Sequence, residues 1–164
     1  MQIIFADPAT AALDPAPIDP GWIVEGAPQA RARELARSAD KTEVVVAWSC
    51  TAGRFNWHYT VDETVHVILG EAFVTDEHGV EHRLGPGDMA FFPAGSRSLW
   101  RVPSAVRKLA VCRQALPMPL GLAVRLWKKL VALASGQGGP MQFPVRRAEA
   151  IYPIRPSAGN NSSR

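Results

Sequence analysis

The chain has 164 residues, 47% of them hydrophobic and 20% charged, ordinary proportions for one sizeable globular core and too few residues for two. No run approaches the roughly 18 apolar residues that a membrane-spanning helix requires, and the opening MQIIFADPAT lacks the basic-then-apolar pattern of a secretory leader. The formal net charge of +3 belongs to the last third: Lys/Arg against Asp/Glu stand at four to six over residues 1–42, seven to eight over 43–113 and seven to one over 114–164.

Taken in order, the first thirty residues are rich in alanine, proline and aspartate, which predicts an irregular N-terminal extension over residues 1–42 lying on the surface of the main body. Within it Gln2–Phe5 is a candidate edge strand. The segment ARARELAR (Ala30–Arg37) is a candidate for one or two helical turns, although it is short for an isolated helix. Thr42–Cys50 is β-branched and apolar and reads as a buried strand. Arg54–Thr60 alternates Phe55, Trp57 and Tyr59 with Asn56 and His58, the period-2 pattern of a strand. Glu63–Leu69 alternates again, and Gly70 marks a tight point. Glu71–Thr75 and Val80–Leu84 flank the turn Asp76-Glu77-His78-Gly79. Met89–Phe92 follows the turn Gly85-Pro86-Gly87-Asp88. Pro93-Ala94-Gly95 turns the chain into Arg97–Val102, and Val106–Arg113 closes the core. Short strands with turns every few residues predict an all-β antiparallel sandwich or barrel over residues 43–113.

Leu116-Pro117-Met118-Pro119 breaks the pattern. Leu120–Ala134 then places Leu122, Leu126, Leu130 and Leu133 at helical spacing among Arg125, Lys128 and Lys129, which predicts an amphipathic helix with Pro119 in its first turn and Gly136 past its end. Its leucine face is expected to pack on the barrel or on a partner subunit. Membrane contact through 120–134 is not expected, because three cations add only about 1 kcal/mol each near an anionic surface. The tail after the helix is expected to be disordered. Basic residues too few and too poor in interleaved aromatics argue against nucleic acid. Cys50 and Cys112 lie in apolar strand contexts, the pattern of two reduced thiols in a cytoplasmic protein.

Residues 44–113 resemble the cupin superfamily. Gly53, Glu63 and Gly70 match its first motif, with the spacing Glu63-x6-Gly70; Gly87, Pro93 and Gly95 match the second, with Asp88 after the first glycine. The wording around FNWHY, FPAG and VRK is similar to the branch holding the (S)-ureidoglycine aminohydrolase-type and ethanolamine-utilisation-type cupins. The resemblance implies a cupin-type antiparallel β-barrel (jelly roll), commonly paired into a homodimer. Thr42–Cys50 as an apolar edge strand and an outward Ile68 fit such pairing. The family pattern also implies one divalent metal (manganese, iron, nickel or zinc) held by two histidines and the glutamate of the first motif and the histidine of the second. Here the histidine pair falls on Trp57 and Tyr59, or on Asn56 and His58, and the second-motif positions fall on Ser98 and Val102. At most His58 and Glu63 remain, so no metal site is expected.

Glu63 is expected to point into the barrel as ligand, base or acceptor. Trp57, Tyr59, Ser98 and Trp100 share inward parity with it, and His58 joins them only under the alternative alignment. An aromatic-lined pocket with one carboxylate and one hydroxyl suits a small molecule, although the same aromatics could simply fill a small barrel. His66, three residues past Glu63, belongs to sheet packing; His82 is expected to be half-buried, His78 to be solvated, Asp88 to satisfy turn amides, and Arg107-Lys108 to form a solvated strand end. No nucleophile–base pair or phosphate loop is present. Three readings follow: a small-molecule-binding cupin without metal, a metal-assisted enzyme acting on a small nitrogenous or carbonyl substrate, and an accessory protein with a filled barrel.

Overall fold

The computed structural model describes residues 3–114 and 118–135, which fall into two compact units, Met1–Ala115 and Leu116–Arg164. The first unit is built from nine strands: β1 (Asp14–Pro15), β2 (Ile23–Glu25), β3 (Ala30–Arg37), β4 (Glu43–His58), β5 (Asp62–Gly70), β6 (Ala72–Thr75), β7 (Glu81–Leu84), β8 (Met89–Phe92) and β9 (Arg97–Arg113). One 3-10 turn over Pro20–Trp22 is capped by the Asp19 carboxylate on the Gly21 amide.

Two long antiparallel strands organise the rest. β4 and β9 pair from Glu43↔Arg113 to His58↔Arg97. One half of this ladder carries β3 and β1 on the β4 side and β5 and β8 on the β9 side; the other half carries β2 on β4 and β6 with β7 on β9. Between the halves the register slips, so that Thr51 pairs Ala105 while Gly53 pairs Val102. The extra residue on β9 falls at Pro103–Ser104, a bulge in which the missing proline N–H is not needed by the ladder. Buried side chains from both halves form one core: Val65, Val67, Trp48 and Cys50 from the first, Phe55, Val74, Leu84 and Trp100 from the second. The unit is all-β and antiparallel, and hydrogen bonding among its described strands does not close into a ring.

Several expectations change. The strands expected separately at Thr42–Cys50 and Arg54–Thr60 are one strand, β4, and those at Arg97–Val102 and Val106–Arg113 are one strand, β9, because the ladder shifts register near Gly53 and Pro103 without ending there. Ala30–Arg37 is not helical. It is β3, paired with β4 from Ala30↔Cys50 to Arg37↔Val44. An isolated eight-residue helix is marginal in water, whereas the open edge of β4 satisfies the same backbone groups and buries Ala30 in the core. The N-terminal segment therefore contributes strands to the sheet, and Ile3–Phe5 carries none. With β3 on one side and β9 on the other, β4 is not an edge strand. In the second unit one helix, α1, spans Met118–Ser135, with Leu122, Leu126 and Leu130 exposed. Leu133 and the tail lie outside the residues whose side chains are described. No described helix is long and apolar enough to cross a membrane.

Gly70 ends β5 at a φ of +73°, and a Cβ there would stand 2.0 Å from the Ala105 carbonyl oxygen. Gly79 has a similar φ of +81° with open space around it. Gly79→Ala should therefore cost only the left-handed strain, roughly 1–2 kcal/mol, whereas Gly70→Ala adds a backbone collision and should cost clearly more. Urea unfolding of the two variants beside the parent protein checks the order.

Candidate functional site

The interior of the first unit is charged at one point. Along β9, Val106, Lys108 and Ala110 alternate onto the inward face, and along β5 Glu63, Val65 and Val67 do the same. Lys108 is only 3% exposed and Glu63 7%, and the Lys108 Nζ donates to Glu63 Oε1 at 2.7 Å. Three indoles surround the ammonium: its nitrogen lies 4.7 Å from the ring centroid of Trp100, 4.8 Å from Trp48 and 5.8 Å from Trp57. These are cation–π distances. Trp48 stands directly across the ladder from Lys108. The expectation of a solvated Arg107-Lys108 end is thus corrected. Adjacent strand residues point to opposite faces, so only Arg107 turns outward, donating to the carbonyls of Pro8 and Ala11.

A second polar cluster sits on the same inward side. The Tyr59 and Ser98 hydroxyls are 3.0 Å apart and bonded, and Trp100 Nε1 donates to both oxygens, at 2.9 and 3.1 Å. Tyr59 stacks on Phe92 with ring centroids 4.4 Å apart. Burial pushes the Tyr59 phenol well above its ordinary range, against the hydrogen bonds from Ser98 and Trp100. Trp57 packs edge-on against Trp22, Trp48 and Phe55. His58 stands apart from this cluster, half-buried and stacked on Trp22 at 5.0 Å. His66 and His78 are exposed. His82, expected to be half-buried, is also exposed and bonds the Asp76 carboxylate, because β7 lies at the end of its sheet region. Asp88 accepts from the Gly85 amide.

Empty space lies beside this interior, not at Glu63. A cavity of about 260 Å³ is walled by Val74, Leu84, Ala90 and Phe92, with Arg97 and Ser98 among its polar residues. A shallower one of about 360 Å³ runs past Asn56, His58, Arg97 and Ser98. Of the residues singled out from sequence, Ser98 lines both and His58 lines the second; Glu63, Trp57, Tyr59 and Trp100 line neither. Lys108 and Arg97 were not singled out. Strand parity with Val106 and Ala110 was the only signal for Lys108.

The side chains at the family's ligand positions do not fit a metal ion. Glu63 is committed to an ammonium, Trp57 offers an N–H and no lone pair, and the Tyr59 and Ser98 oxygens are bonded to each other and to Trp100. Asn56 and His58 lie on the opposite face of β4. A cation at Glu63 would also meet the Lys108 charge 2.7 Å from the carboxylate oxygen. Among the described residues no three His, Cys, Asp or Glu side chains gather to hold one.

Both thiols are free. Burial raises each to about 11; at Cys112 the Glu63 charge adds to the rise and Lys108 opposes it. A group whose folded pKa is raised holds its proton more tightly in the native state, so its stabilisation is complete below the ordinary value of 9.0 and is lost as pH climbs towards 11. Conformational stability should consequently fall between about pH 9 and 11, and a Cys50→Ala, Cys112→Ala variant should show a smaller fall. Urea midpoints across that range, with thiolate absorbance followed in parallel, provide the measurement.

Residues 37–110 match the EutQ-like cupin domain. No curated protein matches the chain. A crystal structure of a protein of unknown function from the DUF861 family of Pseudomonas syringae pv. tomato is 25% identical, with a TM-score of 0.60 over 65% of this chain and 46% of that one. The present chain thus spans less than half of that protein's length. A putative ethanolamine utilization protein Q from Salmonella typhimurium is 27% identical over 54% of this chain and 72% of its own, with a TM-score of 0.48. A cupin-like protein from Thermotoga maritima shares the fold at 12% identity and a TM-score of 0.50, over 61% of this chain and 77% of that one. Residues 37–110 of the chain are thus a cupin domain of the EutQ-like type.

Proposed function

We propose that this cupin binds a small molecule bearing an oxygen acceptor, a carboxylate or a carbonyl, in the cleft beside Ser98, and that it does so without a metal. The observation that carries the reading is a count of hydrogens. Tyr59 and Ser98 have two hydroxyl hydrogens between them, and Trp100 Nε1 already donates to both oxygens. One hydrogen serves the bond between the hydroxyls, and the other has no acceptor among the described residues. Tyr59 is 3% exposed and closed in, whereas Ser98 lines the cavity. With Tyr59 as donor to Ser98, the spare Ser98 hydrogen faces the cleft. Arg97 lines the same space, and its side chain makes no hydrogen bond or ion pair among the described residues. Leu84, Ala90 and Phe92 supply apolar walls for the body of the ligand. Asp76 on the rim is already satisfied by the His78 and Val80 amides and by His82. A metal-assisted enzyme is the weaker reading, because the one buried carboxylate among the described residues already holds an ammonium.

Benzoate, benzamide and benzylamine separate the possibilities by tryptophan fluorescence, since Trp100 is bonded to the Ser98 oxygen. Benzoate and benzamide should perturb emission and raise the unfolding midpoint; benzylamine should not. Ser98→Ala should weaken both ligands about five- to tenfold, the worth of one hydrogen bond, and Arg97→Gln should weaken benzoate alone. Equal responses to all three probes, or none, would contradict the reading.

The same reading includes a homodimer. β8 pairs with β5 on one side only among the described strands, and its Met89 and Phe91 are 61% and 56% exposed. This edge replaces Thr42–Cys50 as the support for pairing. Sedimentation should give a dimer at micromolar concentration and a monomer for Met89→Glu; a monomeric parent protein would count against it.

A further inference from the structure

We infer that the interior carries its own tethered cation: the Glu63 carboxylate and the faces of Trp48, Trp57 and Trp100 form a cage selective for an organic ammonium, and the chain's own Lys108 occupies it in place of a metal ion. This inference is independent of the ligand proposed for the cleft. Four groups from three strands converge on one nitrogen, Trp48 and Trp57 from β4, Glu63 from β5 and Trp100 from the strand β9 that also carries Lys108. The carboxylate supplies one charge-assisted bond at 2.7 Å, and the rings supply the negative faces that attract an ammonium while excluding water. Indole faces give no lone pair to a metal ion, so the cage discriminates between the two kinds of cation. An ammonium covalently fixed by its own strand needs no external supply, and it leaves Glu63 no free oxygen lobe on that side for a metal or for proton abstraction.

The residues also show why the cage is not an incidental salt bridge. A lysine placed at a core position could have reached solvent with its long stem; this one ends 3% exposed with its head at the centre of the rings. Every buried side-chain nitrogen and oxygen of the described residues has a partner, so the charge is held by the set of groups around it and not by leftover space.

Chemical rescue tests the inference. Lys108→Ala keeps the β-carbon and removes three methylenes and the ammonium, which n-propylammonium replaces atom for atom. The variant, refolded from urea with millimolar n-propylammonium chloride, should recover more than half of its lost unfolding midpoint and regain the parent tryptophan emission. Potassium chloride at equal ionic strength, manganese(II) and zinc(II) should restore neither. Equal rescue by a metal ion, or no rescue by the amine in a folded variant, would overturn the inference. If Lys108→Ala folds under no condition, Lys108→Met alone and combined with Glu63→Gln decides. The double variant should be markedly more stable than Lys108→Met alone, because the carboxylate would no longer lack its cation. A double variant no more stable than Lys108→Met would show that Glu63 does not answer to Lys108, and would overturn it equally.

Discussion

A carboxylate and an ammonium buried together inside a β-sheet core set the terms for everything around them. Either charge alone in that setting would be severely unfavourable, and removing one partner of such a pair typically costs about 3–5 kcal/mol. The pair is tolerable only with short geometry and with rings that take up the rest of the ammonium's field. Glu63 and Lys108 meet both conditions, at 2.7 Å and inside three indoles. To hold them there, β5 and β9 must keep their register, since a slip of one residue would turn the side chain on the slipped strand to the outer face and break the pair. The tight end of β5 at Gly70, where the backbone nearly touches Ala105, and the bulge at Pro103 both lie at the Val106 end of that ladder.

The arrangement divides the interior into two environments. Around Lys108 the space is filled, charged and closed, which suits structure and leaves no room for a substrate. Around Ser98 the hydroxyl pair with Tyr59 and the indole N–H of Trp100 form the boundary between this filled core and the open cleft. Trp100 belongs to both sides: one of its edges donates to Tyr59 and Ser98, and its face covers the ammonium. A group entering the cleft at Ser98 is therefore one side chain away from the buried pair. Tryptophan emission should respond to both for that reason.

Much of the fold was legible from local pattern. Local pattern located β5 to β8 and the separate halves of β4 and β9, and glycines at turns marked the points where the backbone takes positive φ, at Gly70, Gly79, Gly87 and Gly95. What failed was long-range. Ala30–Arg37 carries good helix formers, and only pairing with the edge of β4, from Arg37↔Val44 out to Ala30↔Cys50, makes it a strand. Lys108 looked like the end of a solvated strand because its partner Glu63 lies 45 positions upstream. Shared parity brought Trp57 with Tyr59, and Ser98 with Trp100, onto common faces. It could not show that their polar atoms satisfy one another. His58, left open by two alignments, is resolved by its stacking on Trp22, an element that no motif contained.

The chain's own Lys108 ammonium fills the cation position of the interior. Elemental analysis of the native protein, purified without an affinity tag and dialysed without chelator, tests it most directly. Manganese, iron, nickel and zinc should each stand far below one equivalent per chain, unchanged by Glu63→Gln. One equivalent of any of them, lost in the Glu63→Gln protein, would contradict it.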